Sequence, residues 1–228
     1  INLTYNGKDI SLASESGPFL TVIDCQSAGQ AFLFTGGEGF GATLEGFTIK
    51  NGNGTHGGAI YCDGASPTIR YNIFCNNLAW GAGGAIAVRD GSPTIYNNTF
   101  DGNGAQAGGA ILFGPGSNAQ FWQNIVCSST GGGAFACVGA GGATIVSCND
   151  VYGNAGGNTI CVGTGSSNFS LDPLFCGMPG TGNFFLQQTS PCTAAFSPCA
   201  APVGALGIQC TVTATQAVTW GQVKSLYR

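Results

Sequence analysis

A chain of 228 residues is one domain or one repeat array. Only 7% of its residues are charged, the net charge is −4 and histidine occurs once. There is no basic patch to neutralise phosphates, which argues against a nucleic-acid partner, and no run of 18 apolar residues to span a membrane as a helix.

Residues 1–25 open on the strand-like Ile1-Asn2-Leu3-Thr4-Tyr5, turn at Asn6-Gly7 and carry a second β-prone run at Thr21-Val22-Ile23. Residues 26–56 add Ala31-Phe32-Leu33-Phe34 and Phe47-Thr48-Ile49. From 57 to 165 the pattern becomes regular. Gly57-Gly58-Ala59-Ile60 returns as Gly83-Gly84-Ala85-Ile86, Gly108-Gly109-Ala110-Ile111 and Gly132-Gly133-Ala134-Phe135, with a degraded copy at Gly156-Gly157-Asn158-Thr159. The second glycines step by 26, 25, 24 and 24 residues. Asn72, Asn98, Asn124 and Asn149 keep the same beat, each followed two positions later by Phe74, Phe100, Val126 or Val151. A fixed period near 25 in two independent phrases marks a repeat architecture.

The repeats contain short apolar runs broken by Gly, Asn, Ser or Pro. None is long enough for a helical stripe, and 40 glycines are too many for helices. Three short strands and three turns fill one period, and successive coils then lie roughly 4.8 Å apart, the spacing of paired strands. The expected fold is therefore all-β: a wound coil of parallel strands, about seven coils of roughly 25 residues each. Equivalent residues should stack. Ile60, Ile86, Ile111 and Phe135 would form one inward column; Ile69, Ile95 and Ile145 would form another, with Gln120 the exception. The asparagines would bond from coil to coil as amide ladders do. Two opposite-charge pairs, Glu45 with Arg70 and Asp63 with Arg89, fall one coil apart and support the register.

Residues 166–210 read as a closing coil punctuated by Pro173, Pro179, Pro191, Pro198 and Pro202, so the solenoid is expected to occupy 1–210. Residues 211–228 form a separate C-terminal tail without the glycine beat, with Trp220, Val223, Leu226 and Tyr227 as apolar positions. This tail could fold back on its own coil, lie on the next molecule as an added strand or short helix, or serve as a sorting signal. At the other end no capping helix precedes the first coil, and an open strand edge invites pairing. Ile1, Leu3 and Tyr5 at one end and Trp220, Val223, Leu226 and Tyr227 at the other are the candidate self-association residues.

Eleven cysteines point to an oxidising compartment. Cys62, Cys137 and Cys161 share a column, and Cys137 and Cys161 sit on adjacent coils within bonding reach. Cys176, Cys192, Cys199 and Cys210 cluster near the end and would staple the closing coil. One histidine and the lack of a Cys-x-x-Cys pair argue against zinc, and no cofactor is implied. A chain beginning at Ile1 without a leader fits a secreted, processed protein.

Enzymes that cut polysaccharides on a solenoid of strands need clustered carboxylates, often beside Arg or Lys. The ten acidic residues here are spread thinly. The nearest grouping is Asp63, Arg89 and Asp90, read as a surface ion pair. His56 reads as a turn residue, and Trp80 as a side chain packed on a neighbouring turn. Four Asn-x-Ser/Thr triplets make Asn2, Asn53, Asn97 and Asn168 candidate glycan acceptors.

The Gly-Gly-Ala-Ile phrase, Ser66-Pro67-Thr68-Ile69, Ser92-Pro93-Thr94-Ile95 and the Asn-x-(Phe/Val) phrase resemble secreted bacterial right-handed parallel β-helix repeat proteins. Leu171-Asp172-Pro173-Leu174-Phe175 followed by Ser190-Pro191-Cys192 is similar to that group's closing coil. The resemblance covers about residues 8–210 and specifies fold better than activity. The function expected is a non-enzymatic extracellular structural protein associating end to end with copies of itself, as a filament subunit. A polysaccharide-binding or polysaccharide-cleaving protein, with glycans as partners, and a surface adhesin are the alternatives.

Overall fold

A computed structural model describes residues 1–140, 143–177 and 182–210. Three parallel sheets wind around one interior as a β-solenoid of about eight turns with about 26 residues per turn, one turn more than the expected seven. No helix occurs among the described residues.

The first sheet stacks Leu3–Thr4, Phe32–Phe34, Ile60–Asp63, Ile86–Arg89, Ile111–Phe113 and Phe135–Cys137. The second stacks Ser11–Ala13, Thr43–Glu45, Thr68–Arg70, Thr94–Tyr96, Gln120–Trp122, Ile145–Ser147 and Gly163–Thr164. The third stacks Val22–Asp24, Thr48–Lys50, Ile73–Cys75, Thr99–Asp101, Ile125–Cys127 and Asp150–Tyr152. Because a strand sends alternate side chains to opposite faces, each sheet contributes one or two columns to the core. Phe32, Ile60, Ile86, Ile111 and Phe135 are paired in sequence up the first sheet and buried. Ile49, Phe74, Phe100, Val126 and Val151 do the same in the third.

The second-sheet column differs from the expected one. It runs Leu44, Ile69, Ile95, Phe121, Val146. Ile145 instead pairs with Gln120 on the outer face and is 42% exposed. Counting two periods back from Ile145 lands one residue off, and with a side-chain period of two a one-residue slip exchanges the faces.

The glycine phrase has two separate physical causes. Gly57, Gly83 and Gly108 take φ of +65°, +70° and +57°, the left-handed region that other residues enter at a cost. The second glycine lies under the next coil: a Cβ on Gly84 would collide with the carbonyl oxygen of Gly109. Coil spacing itself therefore forbids a side chain there.

The asparagine ladder is continuous. Nδ2 of Asn72, Asn98 and Asn124 donates to Oδ1 of the next rung at 3.2, 3.0 and 3.1 Å, and Asn149 continues it to Asn168 at 3.0 Å. Each rung's backbone N–H donates to the same oxygen. A second ladder, Asn77 to Asn103 and Asn154 to Asn158, runs at the following turn, with Ser129 between its two halves.

Residues 171–177 and 182–210 follow a different course from a closing coil. After Gly163–Thr164 pairs with the last strand of the second sheet, the chain turns back as a strap along the outer face of the third sheet. Leu186, Cys192 and Val203 cover Ile125 and Cys127, and Phe184, with Leu206 beside it, covers Ile73 and Cys75. Phe185 reaches Phe19 of the first coil, with ring centroids 5.1 Å apart. The outward apolar residues Ile73 and Ile125 explain this course: without the strap they would face water.

Candidate functional site

Two surfaces of the solenoid could meet a partner. The first is the edge of the first coil. Among the described residues, its strands Leu3–Thr4, Ser11–Ala13 and Val22–Asp24 each pair on one side only, with Phe32–Leu33, Thr43–Glu45 and Thr48–Lys50. Ile1, Leu3, Ile10, Phe19, Leu20 and Val22 are exposed here, Leu20 by 70%. Tyr5 does not belong to this surface, contrary to expectation. It is buried, its ring lies against Phe32 and Phe34, and its hydroxyl donates to the Thr43 carbonyl at 3.0 Å. Burial pushes its pKa up to about 12. Tyr5 therefore plugs the bottom of the core instead of reaching outward. Trp220, Val223, Leu226 and Tyr227 lie outside the described residues.

The second surface is a groove of about 270 Å³ on the outer face of the first sheet. Ala87, Leu112 and Val138 form its floor and far wall, and His56, Tyr61 and Arg89 line it too. The polar residues are wired together: the Tyr61 hydroxyl donates to Asp63 Oδ2 at 3.2 Å, and Arg89 Nε lies 3.4 Å from Asp90 Oδ2. Arg89 and Asp63 are strand partners as the register required, yet the ion pair formed is with the adjacent Asp90. The Tyr61 hydroxyl oxygen, as acceptor toward the guanidinium, and the nearby carboxylates hold the Arg89 pKa above its ordinary value. His56 ends the strand Asn53–His56 rather than lying in a turn, its ring against Gly81. The arrangement is a small apolar trough with a cation and a phenol at its rim. Among the described residues, no group of three or more His, Cys, Asp or Glu side chains is placed to hold a metal ion.

The profile of one protein family, described as the right handed beta helix region, matches residues 10–173. This chain belongs to that family. No curated protein and no solved structure matches it.

The remaining site residues of the β-helix are distributed as follows. Cys137 is bonded to Cys161 and Cys176 to Cys210, whereas Cys192 and Cys199, expected in disulfides, are thiols. Cys192 is buried under the strap, where its thiol donates to Asp150 Oδ2 at 3.2 Å. Glu45 pairs with Arg70 at 2.7 Å, and Arg70 also donates to the Tyr96 hydroxyl. Trp80 is not packed on a neighbouring turn: alternation along Leu78–Ala82 turns it outward, 66% exposed. Of the glycan candidates, Asn97 is buried and donates to the Pro202 carbonyl of the strap, and Asn168 is the last rung of the ladder. Both amide nitrogens are engaged inside the fold and cannot carry a sugar there. Asn2 is exposed, and Asn53 half-buried.

Sequence reasoning missed the strap, the second ladder and the groove. Asn77, Asn103 and Asn154 do keep the period, but Ser129 interrupts it and hides the signal. The groove has no linear signature, because its polar residues come from three separate strands.

Proposed function

We propose that the chain is a non-enzymatic extracellular structural protein that associates end to end with copies of itself, the coil edge formed by Leu3–Thr4, Ser11–Ala13 and Val22–Asp24 receiving the last coil of the next molecule. The observation that carries this reading is the exposure of Leu3 and Val22 on strands that, among the described residues, are paired on one side only, and of Ile1, Ile10, Phe19 and Leu20 in the segments that lead into those strands. Monomeric surfaces seldom gather so much apolar area beside unpaired strand edges. A head-to-tail contact of this type does not close and yields an open fibre. The low charge leaves little repulsion between copies.

Sedimentation velocity of the 228-residue chain over a range of concentrations tests it. The expected result is a concentration-dependent series of oligomers that collapses to monomer in the double variant Leu20→Lys, Val22→Lys. A monomer at all concentrations, or oligomers indifferent to the two lysines, overturns the reading.

The groove favours a second reading, a polysaccharide-binding protein. Arg89 and Tyr61 beside an apolar floor suit an acidic sugar, with the guanidinium meeting a carboxylate and the floor meeting a ring face. Retention on a column of immobilised polyuronate, lost in Arg89→Ala, would support it over self-association.

A further inference from the structure

Seven cysteines are thiols in the structure. Cys25, Cys62, Cys75, Cys127 and Cys192 are buried; only Cys148 and Cys199 are partly exposed. These two occupy one place. Cys148 follows the strand Ile145–Ser147 with φ of +56°, and its N–H donates to the Ser166 carbonyl at 3.1 Å. Cys199 comes from the strap, with its Sγ 3.5 Å from the carbonyl oxygen of Ser167. Consecutive residues of the last coil thus hold both cysteines, Ser166 through the Cys148 N–H and Ser167 through the Cys199 thiol, and the two thiols lie close enough to influence each other.

We propose that Cys148 and Cys199 are the site of a third disulfide, which ties the strap to the solenoid. The two bonds already present do not do this. Cys137–Cys161 joins neighbouring coils, and Cys176–Cys210 closes the strap on itself. The oxidant is a small disulfide such as oxidised glutathione. The Cys148 thiolate attacks it, forms a mixed disulfide and expels one glutathione thiolate. The Cys199 thiolate then attacks the Cys148 sulfur and expels the second. Two protein thiols lose two electrons and two protons, and one oxidised glutathione becomes two reduced glutathiones. Burial and the contact with Cys148 push Cys199 up to about 11; the same exchange begun from either thiol gives the same bond. The five buried thiols are out of reach of the same reagent.

Peptide mapping of the folded full-length chain tests this. The chain is incubated with oxidised glutathione, unfolded in denaturant with iodoacetamide and no reductant, and cut with pepsin at acid pH. The expected map has five alkylated cysteines, at 25, 62, 75, 127 and 192, and a peptide pair linked through Cys148 and Cys199. Alkylation at both Cys148 and Cys199, glutathione left on either, or a link from either to another cysteine overturns the assignment. In Cys199→Ser the oxidised chain is expected to be nicked by protease within the strap several-fold faster than the oxidised parent. Equal rates would overturn the tie between strap and coil.

Discussion

The side chain of Asn98 takes part in five hydrogen bonds inside the solenoid. Oδ1 accepts from the N–H and Nδ2 of Asn72, and Nδ2 donates to the Ile69 and Tyr96 carbonyls and to Asn124 Oδ1. Alanine there would leave several buried groups without partners, each costing about 1–3 kcal/mol. Asn98→Ala should therefore lower stability by about 3 kcal/mol or more, read as the shift of a denaturant midpoint. Ser129 is the complementary case. It stands where the second ladder expects an asparagine, and its Oγ is buried without a partner. Ser129→Asn should join the two halves and stabilise by about 1 kcal/mol, a rise of a few degrees in Tm by calorimetry. The first ladder was legible in the sequence because asparagine fills every rung; the second was not, because one serine breaks it.

Asp150 gives the molecule a pH response. It is fully shielded, and burial raises its pKa to about 6, although it accepts from the Leu171 N–H at 3.1 Å and from Cys192. Asp101, buried beneath the same strap, is raised for the same reason. The ordinary value is 3.8. Between about 4 and 6 the native state therefore holds a proton that the unfolded state has released, and stability falls as pH rises through that window. Scanning calorimetry should give a higher Tm at pH 5 than at pH 7. Asp150→Asn should raise the pH 7 value and remove most of the difference. Asp24, lowered by its bond to Asn51, acts in the opposite direction and at lower pH, so it leaves this window untouched.

At the scale of the element, the strap shows what a repeat pattern leaves unsaid. The regular coils were readable because every period repeats the same steric demand: a left-handed glycine, a glycine under the next carbonyl, an inward isoleucine. The strap follows no period, and its prolines indicate only where pairing ends. The signal for it lay in the coils. Ile73 and Ile125 alternate outward on the third sheet, where a solvated face would carry polar residues. At Gly204 the strap touches down: φ is +95°, a Cβ would press on Ile125 Cδ1 at 2.5 Å, and the neighbouring Ala205 N–H donates to Thr99 Oγ1 at 3.0 Å. Gly204→Val should lift this part of the strap. Amide hydrogen exchange is expected to quicken in residues 184–206 and in the outer edge of Ile73–Cys75, with the core columns of the first sheet unchanged. Uniform loss of protection would mean that strap and solenoid unfold as one unit.

For the whole molecule, the association proposed at the first coil can be separated from a charge-driven one by its response to salt. Leu20, Val22 and Phe19 are apolar, and the charges near them are few: Lys50 pairs with Asp24 at 3.4 Å at the end of the same sheet. Burying such a surface removes apolar area from water at roughly 25 cal/mol per Å², a gain that simple salt does not screen. Ion pairs between copies would weaken over a Debye length of about 10 Å at 0.1 M salt and about 3 Å at 1 M. Raising sodium chloride from 0.1 to 1 M should thus leave the weight-average mass unchanged or increase it, because the net charge of −4 on each copy is also screened. Sodium sulfate should increase it further, by exclusion from the exposed surface. Dissociation with rising salt would place the contact at charged residues instead, and the Arg89–Asp90 rim of the groove would then be the surface to mutate.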